Sequence, residues 1–62
     1  MFKLYEKVKI KSNGIIGTIV DISIIDKNAN YVVESDEKDV SDGYGGKWKL
    51  FDCSEEEIES IA

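Results

Sequence analysis

Hydrophobic and polar positions alternate with a period of two along most of the first half of this chain. Tyr5 to Lys11 reads Y-E-K-V-K-I-K, which puts Val8 and Ile10 on one face and Lys7, Lys9 and Lys11 on the other. That is the pattern of a half-buried strand. Ser12-Asn13-Gly14 follows as a turn, because Asn and Gly tolerate the positive φ of tight connections. Ile15 to Ile25 is a long β-branched run and predicts a second strand. Ile16, Thr18, Val20, Ile22 and Ile24 share one of its faces; Ile15, Gly17, Ile19, Asp21, Ser23 and Ile25 share the other. Both faces carry isoleucine, so a strand of this kind buries one face early and the other late as it curves. Gly17 is the expected bend, since a glycine inside a strand often marks a bulge or kink.

Asp26 to Asn30, D-K-N-A-N, is dense in turn formers and predicts a hairpin loop. Tyr31 to Ser35 is the third strand, with Val32 inward if Tyr31 and Val33 line the other face. Asp36 to Gly46 holds little apolar content and three glycines, the composition of a long loop and a natural seat for specific contacts. Lys47 to Asp52, K-W-K-L-F-D, is the fourth strand; Trp48 and Leu50 share a face, which predicts a core position for both. In the tail, Ser54 and Glu57 have the spacing of a capping box, and the acidic run suits the start of a helical turn. One turn and a short closing strand over Ile58 to Ile61 is the first reading. A short amphipathic helix from Ser54 to Ala62 is the second.

Four strands, a helical turn and a closing strand is the order of SH3-like barrels. The expected fold is therefore all-β, a small five-stranded SH3-like barrel with one short helical turn before its last strand, in a single domain over residues 1–62. The opening resembles a KOW-type module: V8-K-I10, then G14-I-I-G17-T-I-V-D-I22, then Y31-V-V-E34. The C-terminal half is closer to short uncharacterised bacterial proteins of similar fold. The resemblance implies binding of RNA or of protein segments. It does not extend to polyproline recognition, which would call for a long acidic first loop, paired tryptophans and a proline before the helical turn.

Size and charge narrow the function classes. With 62 residues there is one small core, and one cysteine and no histidine remove disulfide and common zinc staples. The net charge of −5 works against phosphate binding. Its distribution is polar: Lys3, Lys7, Lys9 and Lys11 come early, Asp36, Glu37, Asp39 and Asp42 lie mid-chain, and Glu55, Glu56, Glu57 and Glu59 come late. No apolar run reaches the roughly 20 residues of a membrane span. The alternating N-terminus is not a secretory signal, and a lone thiol fits a reducing, cytoplasmic setting.

Catalysis is not expected. The commonest neutral-pH base is missing, and Asp52, Glu55 and Glu56 near Cys53 would disfavour a thiolate, leaving it a buried structural cysteine. Asp36, Asp39, Ser41, Asp42 and Gly43 superficially suggest a calcium loop, but with Gly43 at the sixth position Lys38 would fall at the first, so the register fails. No metal and no cofactor are expected. Aromatic residues are the stronger hint, since tyrosine and tryptophan are favoured at contact hot spots. Tyr44, between two glycines, heads a candidate protein-binding set of Tyr44, Trp48, Tyr5, Asp39 and Asp42. Self-association through an open strand edge belongs to the same class. The alternative is nucleic-acid binding through Lys7, Lys9 and Lys11.

Overall fold

The computed structural model describes residues 1–38 and 43–61. Among these, six strands form: β1 (Lys7–Ile10), β2 (Ile16–Ile25), β3 (Asn28–Lys38), β4 (Tyr44–Gly45), β5 (Trp48–Ser54) and β6 (Ile58–Ser60), with a 3-10 turn over Glu55–Glu57 before β6. The chain is thus all-β, as its alternation predicts. The strands make one antiparallel sheet in the order β4-β5-β3-β2-β1-β6. No ladder joins β4 to β6, so among the described residues the sheet is open rather than a closed barrel. The expected count of five becomes six because Tyr44 and Gly45, inside the expected loop, pair with Leu50 and Lys49.

Both elements of the tail follow the first reading. Ser54 N–H and Ser54 Oγ each donate to Glu57 Oε1 at 2.9 Å, so the glutamate reaches back to the start of the turn. Ile58 then leaves in extended conformation, is buried, and stands opposite Ile10 at the outer edge of β1.

The hairpin between β2 and β3 is tighter than the D-K-N-A-N composition suggests. Ile25 pairs with Asn28, leaving Asp26 and Lys27 as a two-residue connection with positive φ at both, as a type I′ turn requires. Asn28, Ala29 and Asn30 are strand residues, opposed to Ile25, Ile24 and Ser23. The last partners on the flanking strands are Thr18 for β1 and Asn30 for β5, so the tip of this hairpin stands alone as a two-stranded arm. Ile24 and Ile25 are consequently exposed there.

β2 does bury one face early and the other late, but the switch is not at Gly17. The ladder with β3 slips between Ile19 and Asp21. Gly17 and Ile19 face inward before that slip; after it Ile22, opposite Tyr31, takes over the inner face. Val20 is the extra residue. Gly17 has a different task. A Cβ there would lie 2.5 Å from the Glu34 carbonyl oxygen and 2.7 Å from Val33 Cγ1, so the glycine lets β3 pass close by.

The core is Val8, Ile10, Ile19, Tyr31, Val33, Phe51, Cys53 and Ile58, with Phe2, Ile15, Ile22 and Ala29 packed on its margin. Tyr31 and Val33, not Val32, therefore take the inward face of β3. On β5 the inward residues are Phe51 and Cys53, which stand opposite Val33 and Tyr31. That phase pushes Trp48 and Leu50 to the other face, and the core position predicted for Trp48 is overturned. The one buried polar side chain described, Ser35, is satisfied: its Oγ donates to the Glu37 carbonyl at 2.7 Å and accepts from Lys49 N–H at 3.2 Å.

Candidate functional site

Residues directly opposite each other across antiparallel strands share a face. The registers Lys7–Thr18, Thr18–Glu34, Glu34–Leu50 and Leu50–Tyr44 therefore define one row across the outer face, from β1 to β4. Asp21, Val32 and Asp52 make a parallel row above it. Lys9, between Ile16 and Glu59, lies on the same face near the other edge. No pocket opens among the described residues, so any recognition must use a face or an edge of the sheet.

The two ends of this face differ in chemistry. At the β4–β5 end, Tyr44 is 48% and Trp48 44% exposed, with Leu50 and Val32 half-buried between the polar groups. Tyr44 is held in place: its hydroxyl donates to Asp52 Oδ1 at 3.1 Å, and that bond to a carboxylate, aided by desolvation, raises the phenol's pKa. Gly43, at φ +88°, brings the chain onto β5; a side chain there would meet the Phe51 ring. Trp48 stands opposite Lys38, whose Nζ lies 5.3 Å from the ring centroid, within cation–π range.

At the β1 end the lysines are matched by acid. Lys7 Nζ donates to Asp36 Oδ2 at 2.7 Å, and Thr18 Oγ1 donates to the other oxygen of the same carboxylate at 3.2 Å. Lys9 faces Glu59 across the β1–β6 ladder. Lys11 is exposed beyond the end of β1 and its N–H donates to the Glu57 carbonyl. The three lysines do follow one another along β1 and its end, but interleaved with carboxylates.

Of the predicted contact set, Tyr44 and Trp48 share the outer face on the adjacent strands β4 and β5. Tyr5 does not join them. It is 71% exposed at φ 68°, a strained value for a bulky side chain, and its N–H donates to the Ile19 carbonyl on β2. It lies on the β1 side of β2, so β2, β3 and β5 separate it from Tyr44 on β4. Asp39 and Asp42 lie outside the described residues, as does Ser41 of the calcium-loop pattern. Asp36, the remaining carboxylate of that pattern, is engaged with Lys7 and Thr18.

Leu50, Val32, Glu34, Asp52 and Lys38 belong to the same surface and were not singled out by sequence. Leu50 was legible, since it alternates with Trp48. The Lys38–Trp48 pairing was not, because β3 takes four residues from Glu34 to Lys38 while β5 takes two from Leu50 to Trp48.

Cys53 is buried as its composition context suggests, and burial, reinforced by Glu57 and Asp52, pushes its thiol from an ordinary 9.0 up to about 11. A group whose pKa is raised in the folded state adds stability below its unfolded value, and that contribution is lost as the pH rises through the folded value. The melting temperature is therefore expected to fall from about pH 9 toward pH 11, a decline shared with Tyr31, whose phenol is also raised by burial. In Cys53→Ala the decline should be shallower. Parallel curves for the two proteins would show that the thiol does not contribute.

No protein-family model, no curated protein and no solved structure matches this chain.

Proposed function

We propose that this chain is a small non-catalytic binding module that engages a protein partner through the outer face at the β4–β5 end of its sheet. The observation that carries this is the pair Tyr44 and Trp48, two large aromatic side chains exposed on one face, Tyr44 opposite Leu50 and Trp48 two residues before Leu50, where no pocket opens among the described residues. Rigid aromatic groups supply much contact area at little entropic cost, which is why they dominate interface energetics. Tyr44 is moreover already ordered by Asp52. Within the all-β class the fold is read as SH3-like: β6 returns beside β1 after a 3-10 turn, as the resemblance implies. The lone buried thiol suits the cytoplasm.

Nucleic-acid binding through Lys7, Lys9 and Lys11 is the weaker reading, because Asp36 pairs with Lys7 and Glu59 stands opposite Lys9 on a chain of net charge −5. A photo-crosslinking amino acid placed at Tyr44, and separately at Tyr5 and Lys27, separates the readings in cells. Discrete protein adducts from position 44 and not from the other two are expected. Equal labelling from all three positions, or adducts to nucleic acid alone, would overturn the proposal.

A further inference from the structure

The aromatic end of the outer face already holds a cation of its own, and that fact says what kind of partner it suits. Lys38 Nζ sits 5.3 Å from the centroid of the Trp48 ring. Among the described residues, Lys38 is exposed and meets Trp48 through this contact and its strand pairing. Further along the same face Glu34 stands opposite Leu50, one two-residue repeat of about 7 Å from Trp48, and Asp52 lies one repeat beyond that on β5. A tryptophan face attracts ammonium and guanidinium groups, and carboxylates further along the same face draw such groups to this end of the sheet. The chain as a whole carries 13 acidic and 8 basic side chains, which adds long-range attraction of the same sign.

We infer that the Trp48–Leu50–Tyr44 surface docks an extended basic segment of a partner protein, one of whose lysine or arginine side chains displaces Lys38 from the Trp48 ring. This rests on the protein-binding reading above and names the partner's chemistry. In the free protein Lys38 occupies the cation position. On binding, the incoming cation takes the ring while the aliphatic part of the segment lies along Leu50 and Val32. The carboxylates of Glu34 and Asp52 receive the remaining positive charge.

The test uses hexalysine and hexaarginine peptides, with hexaglutamate as control, against the isotope-labelled full chain. Trp48 is the only tryptophan, so its indole resonance and its fluorescence report directly on the ring. The basic peptides should shift Trp48, Leu50, Tyr44 and Glu34, with affinity falling as salt rises. Trp48→Ala should weaken binding about fivefold or more, with Trp48→Phe intermediate. Lys38→Gln should tighten it, since the competing cation is gone; a Lys38 that merely braces the strand would leave affinity unchanged. Glu34→Gln should weaken binding without unfolding the protein, as its side chain is on the outer face.

Shifts confined to Glu55–Glu59, or equal affinity in Trp48→Ala, would reduce the attraction to net charge and overturn the inference. If neither basic peptide binds but position 44 still forms protein adducts, the partner is not cationic; the inference falls and the binding-module reading stands. If the adducts are absent as well, both fall.

Discussion

Gly17→Ala is expected to remove most of the protein's stability at 25 °C. The added methyl group would sit 2.5 Å from a backbone oxygen of β3 and 2.7 Å from Val33 Cγ1, one of the fully buried core atoms. Neither neighbour is the free end of a flexible chain. Relief requires β3 to move away from β2, which would strain the ladder on both sides of it. Overpacking of this kind typically costs about 1–3 kcal/mol and more where backbone must shift. A single core of this size seldom supplies more than roughly 3–5 kcal/mol in total. Urea unfolding followed by circular dichroism measures the loss. Gly46→Ala is the control, because a Cβ at Gly46 meets nothing within 4 Å, and it should change stability by less than about 0.5 kcal/mol. A Gly17→Ala protein within about 1 kcal/mol of the parent would mean that β3 gives way cheaply, against the packing described.

Tyr31→Ala should be as damaging, and Tyr31→Phe separates the two reasons why. The ring is fully buried, opposite Ile22 and Cys53, and meets Phe2 edge-on with centroids 5.5 Å apart. Its hydroxyl accepts from Phe2 N–H at 3.2 Å and donates to Glu55 Oε1 at 2.8 Å, while the other oxygen of Glu55 meets the N-terminal amine at 3.2 Å. One oxygen atom thus ties the N-terminal segment to the 3-10 turn. The hydroxyl's donation lowers the pKa of Glu55, so that carboxylate is charged where it is needed. Removing a large buried aromatic side chain costs about 3–5 kcal/mol, comparable with the whole stability. Removing only the hydroxyl costs about 1–2 kcal/mol, and the loss should be accompanied by faster amide exchange at Phe2. If Tyr31→Phe matches the parent in both respects, the hydroxyl bridge carries no stability.

Much of this architecture was legible because period-two alternation is a local signal. Lys7 to Ile10, the turn at Ser12–Gly14, and the capped turn leading into Ile58 could each be read from a handful of neighbours. What failed depended on pairing. Trp48 and Leu50 were correctly placed on one face of their strand, but which face is inward is decided by Phe51 meeting Val33 and Cys53 meeting Tyr31. The sliding register at Val20 is likewise a property of two strands together, and Gly17 drew attention for a real but different reason. Tyr44 illustrates the intermediate case. Its glycine neighbours suggested an exposed aromatic, and it is exposed, yet it stands in a short strand fixed to Asp52 rather than in a free loop.

The placement of β6 has a bearing on how the chain comes to be folded in a cell. β1 is the first of the six strands in chain order, and the strand that occupies its open side is β6, the last of them. A nascent chain that has exposed β1 through β5 but not Ile58–Ser60 still presents an unpaired edge and an uncovered Ile10. Folding to the complete sheet therefore waits until Ile58–Ser60 have emerged, and a product lacking β6 would be a substrate for proteolysis or aggregation.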